Sequence, residues 1–471
     1  MSEKVKRMSK KYDVIIVGAG PAGIFAALEL LKNNSNLEIL MLEKGKGINQ
    51  RKCPMREQKI PCQKCNPCSL LSGWGGAGAF SDGKLNLTTS VGGLLSEYLI
   101  EDELENFIEY VDDIYLQFGA DEEIYGNNPE KIDIIKKEAG KANLKFLPAR
   151  IRHLGTEKCF TVLRNIFYML AEKVEIRTST EVKEIIKKGS CINGIKTTEG
   201  ETINCKFVIL SPGRVGSEWL KKQTAKFDLT IYNNPVDVGV RVELPAVIME
   251  HLTQSFYESK LVYFSSQFDD KVRTFCMCPH GEVVIEYNNG ITTVNGHSYK
   301  DKKTENTNFA LLVSTNFTQP FKEPIAYGKH IANLANILSG GVIIQRLGDL
   351  MSGRRSTVER INHSAVTPTL NSAIPGDLSF VLPYRILSNI IEMLQALDKI
   401  APGVFHKQTL LYGAEVKFYS MRLELSKRLE TKIKNLFTVG DGAGITRGLI
   451  QASISGIVAA KEIKSRVGVL H

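Results

Sequence analysis

The run Tyr12–Val17, YDVIIV, followed at once by Gly18-Ala19-Gly20-Pro21-Ala22-Gly23, constrains this chain more than any other segment. A short, mostly apolar run fits a strand buried on both faces, as in a parallel sheet. Ile24 to Lys32 continues as an Ala- and Leu-rich helix, and Leu37 to Leu42 is a second apolar strand ending at Glu43. The result is a βαβ unit with a GxGxxG turn and an acidic residue about 20 residues further on. Each part has a physical task. Gly18 permits the tight turn, Gly20 lets a pyrophosphate approach the backbone, and Gly23 allows the helix to pack closely on the strand. Glu43 can accept from a ribose hydroxyl. Pro21 and Ala22 open the helix, whose free N–H groups and partial positive charge favour phosphate. A lone GxGxxG is a weak signal; its placement between strand and helix makes it specific for a dinucleotide.

Two later segments select FAD among dinucleotides. A strand at Phe207 to Leu210 ends in Ser211-Pro212-Gly213, and a strand near the C-terminus ends in Val439-Gly440-Asp441-Gly442. Together with an N-terminal glycine motif this is the arrangement of two-dinucleotide-binding flavoproteins. Asp441 is expected on a ribityl hydroxyl. A helix starting at Gly448, Leu449 and Ile450 would aim its positive end at the flavin. In Gly73 to Ser81, the small residues Gly75, Gly76, Ala77 and Gly78 let backbone lie against a flat cofactor, with Ser81 as a polar contact; a glycine-rich surface turn is the competing reading. Lys44, Val182 and Gly213 complete the expected cofactor contacts. No second GxGxxG with flanking strand and helix appears, which leaves NAD(P)H at most the role of a transient electron donor.

Nucleotide-binding texture thus occurs at the start, near residue 200 and at the end, with mixed strands and loops between. That order predicts an α/β chain with a discontinuous, glutathione-reductase-like Rossmann-type FAD-binding domain (12–232 and 416–471). An inserted α+β substrate or cap domain (233–415) and a basic tail (1–11) complete it. The tail lacks the apolar core of a signal peptide, and no run approaches the ~20 apolar residues that span a bilayer, so a cytoplasmic location is expected. The net charge of +9 is spread along the chain. Diffuse positive charge suits an anionic small-molecule substrate and is compatible with an electron-transfer protein partner. Nucleic acid is not expected, because no basic and aromatic recognition module is visible.

Several further segments carry a resemblance: GWGGAGAFSDGKL (73–85), CMCPHGEVV (276–284), NFALLVS (308–314), QRLGDLMSGRRST (345–357) and GDGAGITRGL (440–449). Over about residues 12 to 465 the chain resembles a family of bacterial, largely uncharacterised FAD-dependent dehydrogenases. The resemblance implies an FAD-binding fold and oxidoreductase activity but no substrate. The chain departs from the family's pattern at EVKFYSMRL (415–423). A Thr/Ser-Ser-Pro turn is missing there, while Glu415, Ser420 and Arg422 are kept.

The remaining candidates are side chains. Cys53, Cys62, Cys65 and Cys68 have the spacing C-x8-C-x2-C-x2-C. Four thiolates so placed could hold zinc or an iron–sulfur cluster. Alternatively, Cys65 and Cys68 form a redox dithiol beside the flavin, or the loop has no chemistry. Cys276 and Cys278 read as packing residues, with active-site lining as the second reading. Arg346, Arg354 and Arg355 could clamp a carboxylate or phosphate, or be solvated loop charges or members of internal ion pairs. His280, Tyr287 and His297 are candidate proton donors. The expected function is an FAD-dependent oxidoreductase passing hydride between a small substrate and flavin N5. The alternatives are a disulfide reductase or modifying enzyme using Cys65 and Cys68, and an FAD-loaded redox sensor or assembly factor.

Overall fold

A computed structural model describes residues 11–33, 36–58, 60, 63, 65–288, 290–299, 303–315, 317 and 323–468. Two sheets organise it. In the first, Glu175–Arg177, Ile39–Leu42, Tyr12–Val17, Thr202–Leu210 and Leu436–Thr438 lie side by side, all parallel. The hairpin Val182–Lys188 and Cys191–Thr197 extends it, pairing antiparallel with the first half of Thr202–Leu210. Apart from Asp13, which pairs with Lys206 (2.9 Å), Tyr12–Val17 is buried because both of its faces are covered. Val14 and Ile16 pack toward the helices Pro21–Leu31, Gly155–Ala171 and Leu449–Gly468. Tyr12, Ile15 and Val17 pack toward the hairpin side. This is the Rossmann-type α/β fold expected from the motif.

The glycine of the C-terminal helix shows how tightly this layer is built. A Cβ on Gly456 would run into the carbonyl oxygen of Ala22 on the first helix. The helix that follows the C-terminal Gly-Asp turn therefore lies directly against the helix that follows the N-terminal glycine turn. Both ends of the chain contribute to one layer.

The second sheet has eight strands, in the order Ile374–Pro375, Ile343–Arg346, Leu410–Lys417, Val236–Pro245, Asn306–Thr315, Lys271–Cys278, Lys260–Phe264 and Leu144–Leu147. The last strand comes from before residue 233, as does the helix Pro129–Lys141 that packs with it. All pairings are antiparallel except that of the shortest strand, Ile374–Pro375, with Ile343–Arg346. Val236, Val238, Val240, Val242 and Leu244 face a core closed by Ala246–Phe256, Pro324–Ser339 and Tyr384–Asp398. Asp237, Arg241 and Glu243 alternate with them and point to the other face, as a strand's two-residue period demands. That face is also buried: all three are at most 1% exposed. No helix among the described residues is long and apolar enough to cross a membrane.

Candidate flavin site

Four segments expected to hold the cofactor meet at the C-terminal edge of the parallel strands, where ligands bind in open α/β sheets. The Ser211 hydroxyl donates to the Gly18 carbonyl (2.7 Å), fixing the turn after Thr202–Leu210 to the turn after Tyr12–Val17. The Gly75 N–H donates to the Ala19 carbonyl (2.7 Å), and Gly78 lies against Leu449 and Pro21. Gly440 abuts Ala22, and Gly442 abuts Pro212 and Gly213. Gly18 to Gly23, Gly73 to Gly83, Ser211 to Gly213 and Gly440 to Leu449 thus form one backbone-walled site.

The residues fit a dinucleotide. Gly20 has extended backbone angles and faces open space, with no atom within 4 Å of where a Cβ would stand. It begins the helix Pro21–Leu31 without any side-chain cap, leaving N–H groups of the first turn available to a phosphate. Asp441 accepts from the Thr446 hydroxyl (2.8 Å) and lies 3.9 Å from the Arg214 guanidinium. Burial pushes its carboxyl upward, against the pull of Arg214. Gly448 precedes the helix Leu449–Gly468; Leu449 lies against Gly78 of the glycine-rich loop, and Ile450 packs in the core behind it.

Glu43, expected on a ribose hydroxyl, bonds the backbone of two loops. Its buried carboxylate accepts from Ala19 N–H (2.9 Å), Gly45 N–H (2.8 Å) and Gly73 N–H (2.9 Å). It ties the first glycine turn to the second glycine-rich loop, and three of its roughly four lone-pair positions are taken. Lys44, next to it, is half-buried. The backbone of Glu43 pairs with Thr180 (2.9 Å), two residues before Val182, whose side chain is buried under the hairpin.

Arg51 is a residue that sequence reasoning missed. It is 4% exposed and donates to four carbonyls: Ser69, Leu70, Trp74 and Gly76. Burial, partly offset by Glu43, lowers it to about 10. Arg51 shapes the entry to the glycine-rich loop. Its only signal was an arginine beside a cysteine-rich loop, which charge patterning assigns to solvent.

The other candidates divide. Arg346 and Arg354 both bond Asp349, which is fully buried (2.9 and 3.0 Å). These two form internal ion pairs, and Arg355 beside them is exposed. His280 caps a turn, pairing with the Thr304 carbonyl (2.9 Å). His297 is buried beside the Thr156 hydroxyl (3.2 Å), and Thr156 in turn donates to the Ser81 carbonyl (3.1 Å). That places His297 at the glycine-rich loop. Cys62 lies outside the described residues; Cys53 and Cys68 are half-buried and Cys65 is exposed, all free thiols. Among the described residues, the one group of three metal-type ligands within 4.8 Å of one another lies elsewhere, at Asp82, Cys276 and Cys278.

The second sheet supplies charge to the site's far side. Arg241 makes a bidentate pair with Glu415 (2.7 and 2.9 Å) and also donates to Asn308 (2.9 Å) and the Cys276 carbonyl (3.0 Å). Glu415 also meets Lys417 (3.0 Å). The retained Glu415 of the divergent EVKFYSMRL stretch is therefore the anchor of a buried ion network. Ser420 gives its carbonyl to Asn234 (2.7 Å), and Arg422 pairs with Glu97 (2.5 Å). Tyr419 of the same stretch bonds Asp237 (2.6 Å), and Arg447 stacks on its ring (3.6 Å), linking the second sheet to the C-terminal glycine turn. Lys84, just past the glycine-rich loop, pairs with Asp82 (3.0 Å) and Glu258 (3.5 Å) and donates to the Met277 carbonyl (2.5 Å).

Residues 235–418 match the family described as FAD-dependent protein, C-terminal domain-like. The match falls on most of the second sheet and agrees with the resemblance to FAD-dependent proteins read from the sequence. A relative, an uncharacterised protein of Clostridium beijerinckii, is 27% identical over 95% of this chain and 80% of its own length. Among solved structures, similarity extends to glycine oxidase from Bacillus cereus (15% identity, TM-score 0.40, 97% of this chain and 95% of that one). A formate oxidase from Aspergillus oryzae is also similar (13% identity, TM-score 0.45, 98% and 99%). Similarity at this level leaves substrate and reaction to the chain's own residues.

Proposed function

We propose that the chain is an FAD-dependent oxidoreductase acting on a small, anionic substrate. The observation that supports this most is the meeting of the four backbone segments, which leaves Gly20 facing open space at an uncapped helix start. Bound there, FAD would supply a two-electron centre that takes up or returns hydride at N5. The protein's part is binding and placement. N–H groups at the start of Pro21–Leu31 would hold the pyrophosphate, Asp441 a ribityl hydroxyl, and the start of Leu449–Gly468 the pyrimidine end. The buried polar face of the second sheet would cover the reacting side and exclude water. His297, bonded to Thr156 beside Ser81, is the side chain best placed to hold or move a proton there.

The test is spectroscopic. Purified protein should carry the visible absorption of a bound flavin, and Gly20→Val should lose it while remaining folded. Protein that is colourless, and that FAD does not reconstitute, would refute the reading.

A further inference from the structure

The strand Lys271–Cys278 follows its neighbour Asn306–Thr315 in register up to Phe275, then slips by an extra residue before Cys278. The slip is a β-bulge, and bulges re-aim side chains next to active sites. Cys276, at its centre, has a positive φ of 47°, an uncommon conformation for a residue with a Cβ. Three contacts fix the distortion. Arg241 donates to the Cys276 carbonyl (3.0 Å), Lys84 to the Met277 carbonyl (2.5 Å), and the Cys278 thiol to the Cys276 carbonyl (3.4 Å). The outcome is that both sulfurs and a carboxylate oxygen of Asp82 lie within 4.8 Å of one another. Asp82 directly follows Ser81, so the two thiols stand against the end of the loop that lines the flavin site.

We propose that Cys276 and Cys278 are a redox dithiol that closes to a disulfide and exchanges its electron pair with the bound flavin, a step that rests on the FAD reading above. The two sulfurs are not equivalent. Cys276 is half-buried and Cys278 buried. The adjacent Cys278 side chain, with Lys84 and Arg241 nearby, outweighs burial and lowers the Cys276 thiol, whereas Cys278 is pushed up. The sulfur favoured as thiolate, Cys276, is the one on the accessible side, where a nucleophile is needed.

Given an external disulfide, the Cys276 thiolate attacks one sulfur and a thiolate leaves. The Cys278 sulfur then displaces the second half, which departs with the Cys278 proton as a thiol. With oxidised flavin as acceptor, the same Sγ–Sγ bond forms, and the pair loses two electrons and one proton to it. A metal site is a poorer fit. Asp82 is already ion-paired with Lys84 (3.0 Å), and three ligands are fewer than the four of a structural zinc site.

The test uses the full-length protein loaded with FAD. After anaerobic reduction, the protein is exposed to glutathione disulfide, alkylated with iodoacetamide and mapped by peptide mass spectrometry. The peptide holding Cys276 and Cys278 should lose two hydrogens and escape alkylation. Cys278→Ser should instead trap glutathione on Cys276. In an anaerobic dithionite titration, the wild type should take up twice the reducing equivalents per flavin that Cys278→Ser does. Full alkylation of both cysteines, with equal uptake by the two proteins, would overturn the proposal. So would an equivalent of zinc retained by the wild type and lost in Asp82→Asn. Peptide mapping of the wild type needs neither variant to fold, and it decides the thiol chemistry even if no flavin binds, which would defeat only the FAD reading.

Discussion

The two sheets bury their charged residues differently, and the site lies where that difference meets. In the parallel sheet, both faces of residues 14–17 are apolar, and the site at its edge is built of backbone: glycine turns, helix N–H groups and carbonyls. In the antiparallel sheet, one face of Val236–Pro245 is valine and leucine, while the other carries Asp237, Arg241 and Glu243, equally buried. Charges leave water at a cost of several kcal/mol each unless paired. Here Arg241 is paired with Glu415 and Asp237 with Arg273, while Glu243, whose carboxyl burial raises, accepts from the hydroxyls of Thr369 and Tyr412. A backbone cradle holds a constant part of a cofactor, and a paired-charge face can set the chemistry above it.

That contrast can be broken from either side. The largest effect is expected at the charged face. Arg241→Ala leaves Glu415 with Lys417 alone and removes donors from Asn308 and the Cys276 carbonyl, so it should cost about 3–5 kcal/mol in urea unfolding. Arg241→Met with Glu415→Met, which removes both charges, should recover at least half of that loss. If the double variant is no better than the single one, the pair is not what fixes this face. Next comes the helix layer. Gly456→Ala puts a methyl group into the Ala22 carbonyl and should cost about 1–3 kcal/mol, with flavin affinity falling in parallel. Gly20→Ala is smaller and more selective. Its backbone angles suit any residue and its Cβ meets nothing, so apoprotein stability should stay within about 0.5 kcal/mol. Flavin affinity by fluorescence titration should nevertheless fall at least tenfold, about 1.4 kcal/mol. Unchanged affinity would place the pyrophosphate elsewhere.

The same contrast explains what could be read from the sequence. The cradle was legible because backbone sites need glycine at fixed spacing, and Gly18 to Gly23, Ser211 to Gly213 and Gly440 to Asp441 fell where strand and helix periodicity put them. The charged face was not. Its residues come from separate strands, and Arg241 meets Glu415 only after a long chain excursion. A signal existed in VDVGVRVEL (236–244), where valine alternates with Asp, Arg and Glu. Alternation alone cannot tell a solvated face from a buried one. Cys276 and Cys278 were read chiefly as packing because an i, i+2 pair in a regular strand merely shares a face. The bulge that draws their sulfurs together depends on Arg241 and Lys84, which are remote in sequence. Conversely, Arg354 stood out beside glycines, yet its partner is Asp349, a few residues away.

The smallest effect should be a pH dependence confined to the charged face. Burial raises the Glu258 carboxyl, but Lys260 (2.7 Å) and Lys84 (3.5 Å) outweigh burial and bring it down to about 2. A carboxyl held below its unfolded value of about 4.3 contributes stability that is fully present above that value. The contribution is lost as pH falls through about 2, since the unfolded chain then takes up the proton first. Wild-type stability should therefore fall more steeply between about pH 5 and pH 3 than that of Glu258→Gln, with the two curves parallel above pH 6. The variant starts lower because Lys84 and Lys260 lose their shared anion, so slope rather than absolute stability is the measurement. Gly20 faces open space and touches no ion pair, so Gly20→Ala should leave the acid slope as it is. Equal slopes for wild type and Glu258→Gln would mean that Lys84 is held by Asp82 alone, and that the charged face is set from the glycine-rich loop rather than from the second sheet.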